Sequence, residues 1–136
     1  MSVSKMSFQK QRGYYNFLSD PTAGAIGTIN LGVHLPAFAI ISGFWVTEHT
    51  AITSGGAATL SFGTITTNSN PVVSTVNNLM AATAIAGFTA QPLMGVDLFA
   101  APLRILVPVD ITMSIATAAL TAGELSFEIW YSQNLR

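Results

Sequence analysis

The sequence contains no cysteine, so disulfide bridges and thiolate metal sites are excluded. Charged side chains are scarce: they make up 8% of the 136 residues, against roughly 25% in an ordinary soluble domain. The net charge of −1 argues against a strong electrostatic partner such as duplex nucleic acid. Hydrophobic residues reach an ordinary 50%, so Ser, Thr, Ala, Asn and Gly replace the missing charges. This composition is typical of a surface that other molecules cover.

Two kinds of apolar segment are also missing. The N-terminal stretch MSVSKMSFQKQRGYYNF carries basic residues but no apolar run of about 7–15 residues behind them, unlike a signal peptide. The longest apolar candidate, Leu79 to Ala90, is shorter than the roughly 18 residues of a membrane-spanning helix and stops at Gln91 and Pro92. We therefore expect neither a signal peptide nor a helical membrane span, and no membrane partner.

Apolar and polar residues alternate along most of the chain. GTINLGVHL (27–35), ATLSFGTI (58–65) and ELSFEIWY (124–131) each keep their main apolar side chains on one parity, which indicates half-buried antiparallel strands. One parity also runs from Leu103 to Ile115, but Pro108 cannot donate to a ladder and predicts a bend or an edge position there. AIISGFWVTEHT (39–50) is apolar on both parities, which favours burial on both faces or an interface.

Turn residues separate these strands at SDPTAG (19–24), HLPAF (34–38), TSGGA (53–57) and LTAGE (120–124). The last of these predicts a short hairpin that pairs the final two strands. One segment, SNPVVSTVNNLMAATAIAGF (69–88), instead spaces its apolar residues by three and four. Asn70 could cap a helix there, Pro71 could begin it and Gly87 could end it. We predict a helix of about 12–15 residues, followed by a loop over 88–101.

Seven or eight short strands with Gly/Pro turns predict a single all-β domain, a jelly-roll-like β-sandwich with one short helix. We place the sandwich at residues 25–136. Residues 1–24 lack the alternation and hold three of the five Lys and Arg residues. They are predicted to form an extended N-terminal arm.

No motif for catalysis or cofactor binding occurs: G-x-S-x-G, the P-loop and G-x-G-x-x-G are all absent. His34 and His49 could suggest a metal site with Glu48, but strand neighbours such as Glu48 and His49 point to opposite faces. The sequence has no third histidine. Glu124 and Glu128 share a strand face, which fits a solvated surface better than a catalytic pair of carboxylates. We predict no catalytic, cofactor or metal site and no enzyme activity.

The aromatic residues point to contacts with other proteins. Basic residues interleave with aromatic ones in the arm, which fits either stacking on nucleic acid or docking on a neighbouring subunit. Three charges without an arginine cluster favour docking. Trp45 and Trp130 lie on the parity opposite the better apolar face of their strands, which favours a covered outer face over ordinary burial within the chain. The predicted contact residues are Phe8, Arg12, Tyr14, Tyr15, Phe17, Trp45 and Trp130.

Four stretches, taken in order, carry a family resemblance: LGVHLPAFAIISGFWV (31–46), TSGGAATLSFGT (53–64), NLMAATAIAGF (78–88) and LTAGELSFEIWY (120–131). The order resembles that of small bacteriophage virion proteins. In these, L-G-x-x-L-P-x-x-A leads into a strand with a central Gly, an S-G-G-x-A-T turn precedes the next strand, and L-T-A-G with a strand ending in Tyr closes the domain. The resemblance covers residues 27–131 and not the arm. It implies a symmetric assembly on a virion and no catalytic residues.

Composition and resemblance together predict a structural protein of the virion: a capsid cement or decoration protein, or a minor capsid subunit. The expected partners are other copies of the chain, in a dimer or trimer, and the major capsid protein or other virion proteins. The main alternative is a receptor- or glycan-binding module of a head or tail fibre. Exposed Trp and Tyr in loops would favour that alternative, but here the aromatics lie mainly in predicted strands and in the arm. A small metal enzyme of the cupin kind is a second alternative.

Overall fold

The computed structural model describes residues 5–19, 24–67, 71–88, 93–97 and 103–135. Within these ranges the chain forms nine strands and a 3-10 turn at Ile85–Gly87. The strands are β1 (Lys5–Asn16), β2 (Gly27–Leu35), β3 (Ala39–Ser54), β4 (Thr59–Thr66), β5 (Ser74–Ala84), β6 (Leu93–Asp97), β7 (Leu103–Arg104), β8 (Val109–Ala116) and β9 (Leu120–Leu135). None of the helical segments in the described ranges is long and apolar enough to cross a membrane.

The strands form two antiparallel sheets. The first sheet has the order β1-β9-β3-β6, and the short β7 also pairs with β3. The second sheet has the order β2-β8-β4-β5. The antiparallel pairs β1–β9, β2–β8, β3–β6 and β4–β5 nest inside one another along the chain and alternate between the sheets. This is the connectivity of a jelly roll, and the predicted β-sandwich is confirmed.

The core lies between the two sheets and is centred on three phenylalanines. Phe44 and Phe127 come from the first sheet and Phe62 from the second, and all three are buried. The ring centroid of Phe44 lies 5.0 Å from that of Phe62 and 5.6 Å from that of Phe127. Aromatic rings at such separations contribute about 0.5–1.5 kcal/mol beyond the area they bury. These contacts join the two sheets at their centre.

Within the predicted N-terminal arm (1–24), Lys5–Asn16 is extended and forms β1 at the edge of the first sheet. Residues 1–4 and 20–23 lie outside the described ranges. Its register with β9 runs unbroken from Lys5 opposite Leu135 to Asn16 opposite Glu124. Tyr15 of β1 is 3% exposed and belongs to the core. In this structure residues 5–16 are therefore part of the sandwich. Docking of the arm on a neighbouring subunit stays a prediction.

The predicted helix over 69–88 is wrong. Ser74–Ala84 forms β5, which pairs with β4 in the register Leu60 opposite Thr83 and Phe62 opposite Met80. The spacing of three and four is not a buried stripe, because only Leu79 and Met80 of this strand are buried. Val, Thr and Asn favour helices weakly, and the ladder with β4 outweighs the local pattern. Residues 68–70, with the proposed cap at Asn70, lie outside the described ranges.

The final two strands are not a hairpin, contrary to the prediction. LTAGE (120–124) is part of β9, and the chain reverses just before it, at residues 117–119. β8 pairs with β2 and β4, whereas β9 pairs with β1 and β3, so the reversal carries the chain from one sheet to the other. β6 likewise replaces part of the loop expected over 88–101. The division predicted at Pro108 is confirmed, since it separates β7 from β8.

Candidate functional site

The outer face of the first sheet carries both tryptophans. Glu128 of β9 lies opposite Arg12 of β1 and Trp45 of β3 in the strand register. Because directly opposed residues share a face of the sheet, these three side chains form a row across it. We call this surface the tryptophan face; its members are Lys10, Arg12, Tyr14, Trp45, Thr47, Ser126, Glu128 and Trp130.

A glycine sets the position of one indole. Gly43 lies opposite Trp130 in the register, and a Cβ atom at Gly43 would stand 3.3 Å from Nε1 of Trp45. The Trp45 indole therefore lies beside the bare backbone of Gly43 and next to Trp130. The two indoles line a concavity of about 270 Å³. The rest of its lining comes from Arg12, Thr47, Ser126, Phe127 and Glu128.

Glu128 ties the charged and aromatic groups of this face together. Its Oε1 accepts a hydrogen bond of 2.6 Å from Nε1 of Trp130. Its Oε2 accepts one of 3.3 Å from Nε of Arg12, whose side chain is 66% exposed. The ammonium of Lys10 lies 5.9 Å from the centre of the Trp130 ring, within the range of a cation–π contact. Two cations and one carboxylate thus surround the indoles.

Replacing Glu128 with glutamine should lower the free energy of unfolding by only about 0.5 kcal/mol, because ion pairs with an exposed partner contribute little. The amide oxygen of Glu128→Gln can still accept from Trp130, while the charge facing Arg12 is lost. Urea unfolding of the two proteins measures the difference. A loss above about 2 kcal/mol would contradict the surface position of this pair.

The structure places the seven predicted contact residues differently. Arg12, Tyr14, Trp45 and Trp130 share the tryptophan face, with Tyr14 62% and Trp130 41% exposed. Tyr15 is buried in the core and Phe17 is partly buried against it, so neither offers a large free surface here. Phe8 lies in β1, and its side chain is outside the described part of the chain. A role in contacts for these residues stays a prediction.

A second surface was not found from the sequence. At one end of the sandwich, the backbone N–H of Phe38 donates to the carbonyl of Ile105 in the connection after β7. Thr66 at the end of β4 donates to Val73, and Thr67 donates to Pro108. These bonds gather three connections that expose apolar side chains. We call this surface the apolar end; its members, each 39–63% exposed, are Phe38, Val72, Val73, Leu106 and Val107.

Phe38 is the most unusual member of the apolar end. It is an aromatic residue with a φ of 65°, in the left-handed region that bulky side chains avoid. Such a conformation costs about 1–3 kcal/mol and is typical of functional positions. The signal in the sequence was the placement of apolar residues next to prolines in the connections, as in HLPAF and SNPVV. Turn propensity predicts the course of the backbone there, but it does not predict that the apolar side chains are exposed.

Charge is distributed unevenly over the molecule. Residues 49–96 contain no Lys, Arg, Asp or Glu, so that β4 and β5 are entirely uncharged. Val72 and Val73 of the apolar end lie in this stretch. Lys10 and Arg12 of β1 and Glu124 and Glu128 of β9 instead share the outer face of the first sheet with the tryptophans.

The two histidines have separate partners. Nδ1 of His34 lies 3.0 Å from Oδ1 of Asp110, and Nε2 of His49 lies 2.7 Å from Oγ of Ser126. Within the described ranges, no group of three or more His, Cys, Asp or Glu residues is arranged to hold a metal ion. Glu124, weighed as a partner of Glu128, accepts a hydrogen bond of 3.1 Å from the side-chain amide of Asn16.

The sequence matches no protein-family model and no curated protein, but the fold matches solved structures. A chain in the acidic stable capsid structure of Helicobacter pylori bacteriophage KHP30 superposes with a TM-score of 0.62 at 11% identity, covering 98% of this chain and 94% of that one. A chain in the capsid of Ralstonia phage GP4 has a TM-score of 0.62 and 19% identity, covering 96% and 86%. At these identities the likeness establishes the fold. It confirms, for the fold, the resemblance to bacteriophage virion proteins.

Proposed function

We propose that the chain is a structural subunit of a bacteriophage capsid, a cement, decoration or minor capsid protein that stabilises the shell through contacts with its neighbours. The observation that carries this proposal is the structural match with chains of two phage capsids, which covers most of this chain and most of each matched chain. The composition supports it, since only 8% of the chain's residues are charged and a protein that stays dispersed normally carries more charge.

The apolar end is the first surface that we assign to these contacts. Burying a fully exposed large apolar side chain contributes about 1.5–3 kcal/mol. Its five members are only 39–63% exposed, which roughly halves that figure for each. The sum of about 5 kcal/mol lies at the low end of the cost of association, about 4–15 kcal/mol. A stable attachment therefore needs further contacts with neighbouring subunits beyond the apolar end.

The proposed partners are copies of this chain, in a dimer or trimer, and the major capsid protein. Many weak contacts suffice in a shell, because each subunit that is already held raises the effective concentration of the next contact. An extended surface with little charge suits this mode of binding. The virion is accordingly the proposed location.

The test is binding to shells of the same phage assembled without this chain. The wild-type protein should sediment with such shells. Leu106→Glu should bind at least about tenfold more weakly, because a carboxylate would be desolvated in an apolar contact. Cosedimentation over a range of protein concentrations measures both.

The matched control is Leu18→Glu, which places the same charge on a side chain that is 85% exposed and outside the apolar end. It should bind like the wild type. If the wild-type protein does not sediment with the shells and remains a monomer by light scattering, the proposed function is wrong. If both variants bind like the wild type, the shell contact does not use the apolar end.

The second candidate function, a receptor- or glycan-binding module, is favoured by one observation: the aromatic concavity on the tryptophan face. Jelly rolls serve as both capsid and lectin domains, so the fold alone does not separate the two. The functions are compatible in one subunit if the tryptophan face points away from the shell.

A further inference from the structure

We propose that the concavity between Trp45 and Trp130 binds an acidic carbohydrate, a sugar ring that carries a carboxylate. This site lies on the tryptophan face and shares no residue with the apolar end. The proposal rests on the second candidate function, a glycan-binding module, and names its ligand class; it does not depend on the structural role in the capsid. It replaces the contact with a neighbouring subunit that the sequence predicted for the two tryptophans.

The floor of the site has the chemistry that sugar rings need. Two indoles from neighbouring strands lie side by side on one sheet, with Gly43 leaving the space that Trp45 occupies. The C–H groups on one side of a pyranose ring form an apolar patch with a slight positive charge. The negative face of an indole attracts such groups. Apolar floors with a few placed polar groups are typical of small-molecule sites.

The rim of the site supplies polar groups on both sides. Thr47 and Ser126 are among the lining residues. A hydroxyl has one donor and two acceptor sites, so the Ser126 hydroxyl, which lies 2.7 Å from Nε2 of His49, still has capacity for a sugar hydroxyl. Arg12 uses Nε for Glu128, while its side chain remains 66% exposed. Its terminal amino groups are therefore accessible to a ligand and have the fork geometry that suits a carboxylate.

The balance of charge favours an acidic sugar over a neutral one. Lys10 and Arg12 carry two positive charges beside the concavity, and Glu128 carries one negative charge. One positive charge is thus left without a partner among these groups. The Lys10 ammonium lies over the Trp130 ring, and a ligand that stacks on this ring brings its carboxylate close to the ammonium. A cationic ligand would meet repulsion from both basic side chains.

The site is held in shape before any ligand binds. Glu128 fixes the edge of the Trp130 indole at 2.6 Å and the guanidinium of Arg12 at 3.3 Å. All three side chains stand on paired strands of one sheet and not on loops. Such preorganisation lowers the entropy cost of binding. The volume of about 270 Å³ lies just below the roughly 300 Å³ at which pockets for drug-sized ligands begin, so one or two sugar rings fit.

The experiment uses the full chain and three probes: sialyllactose, a hyaluronate tetrasaccharide and, as the neutral match to sialyllactose, lactose. Binding is followed by intrinsic tryptophan fluorescence and by isothermal titration. We expect at least one acidic probe to bind with a Kd of about 1 mM or tighter, and lactose to bind at least about tenfold more weakly.

The variants locate the site. Trp130→Ala should weaken binding of the acidic probe by about tenfold or more, whereas Trp130→Phe should retain part of it. Lys10→Gln should reduce the ratio of the affinity for sialyllactose to that for lactose. Partial unfolding would instead weaken both apparent affinities by the same factor and leave their ratio unchanged. Phe38→Ala is the matched control, since it removes an exposed aromatic ring outside the concavity and should bind like the wild type.

Three results would overturn the proposal. The first is no binding of either acidic probe up to about 10 mM, ten times the expected Kd. The second is binding that Trp130→Ala leaves unchanged. The third is a loss of shell binding by Trp130→Ala together with no sugar binding by the wild type, which would identify the face as a protein contact. Shell binding is measured separately from sugar binding. Either proposal, the sugar site or the capsid function, can therefore be overturned while the other stands.

Discussion

Replacing Phe44 with alanine is expected to lower the free energy of unfolding by about 4 kcal/mol. Phe44 is fully buried, and its ring contacts Phe62 of the opposite sheet and Phe127 of its own. The substitution removes both aromatic contacts and leaves a cavity in the centre of the core. Domains of this size have only about 5–15 kcal/mol of stability in total, so the variant should be close to unfolding. Urea denaturation followed by circular dichroism measures the loss.

Phe38→Ala provides the comparison, because Phe38 is 62% exposed and makes no part of the core. Its unfolding free energy should change by no more than about 0.5 kcal/mol. Equal losses in the two variants would mean that the three rings do not form the centre of the sandwich.

The second large effect is expected at Gly63 of β4. A Cβ atom there would lie 2.6 Å from the carbonyl carbon of Val76 and closer still to the carbonyl oxygen of Thr75. These are backbone atoms of β5, which passes Gly63 in a bulge between the pairs Phe62–Met80 and Thr64–Thr75. Backbone in a sheet cannot yield as a flexible side chain does. Gly63→Ala should therefore lower the unfolding free energy by about 3 kcal/mol, the upper part of the usual range for overpacking.

Gly55→Ala is the control for the Gly63 substitution, since nothing lies within 4 Å of a Cβ atom at Gly55. It makes the same chemical change in a bend between β3 and β4 and should alter stability by less than about 0.5 kcal/mol. Hydrogen exchange should show the loss in Gly63→Ala first in the amides of β5. If Gly63→Ala is as stable as the wild type, β5 does not pack on β4 as described.

Strand positions followed from the sequence because alternation reports a physical fact, the burial of one face. GTINLGVHL and ATLSFGTI predicted β2 and β4 nearly to their ends. Which strands pair is a different matter. β1 and β9 come from opposite ends of the chain, and no local pattern records that they meet. The number of strands and the turns between them predicted a jelly-roll-like sandwich, but they did not predict which strands pair.

β5 shows the limit of periodicity as a guide. Spacings of three and four near Val76 and Leu79 predict a helix in which both residues lie on one buried face. In the structure, Val76 is 42% exposed and Leu79 is fully buried. The deciding partner was β4, whose free edge offers β5 a ladder of hydrogen bonds. A sequence window contains no information about an edge that another segment provides. The same reason explains why the arm was not recognised as β1.

The two tryptophans of the candidate site could be predicted from parity. Trp45 and Trp130 were placed on an outer face because their strand neighbours were apolar, and both lie there. Tyr15 was grouped with them because parity is uninformative in a segment without alternation, and it is buried instead. The role of Gly43 could not be predicted, since it depends on the direction in which the Trp45 indole leans.

The absence of charge from residues 49–96 has a consequence for behaviour in different salts. Dissolved ions screen charged groups over about 10 Å at 0.1 M ionic strength but leave apolar attraction in place. A partner that contacts β4, β5 or the valines before β5 should therefore bind with similar affinity at low and at high salt concentration. A ligand held by Lys10 and Arg12 should instead be shed as the salt concentration rises. Binding to one side of the molecule should thus be independent of salt concentration, and binding to the other side should depend on it.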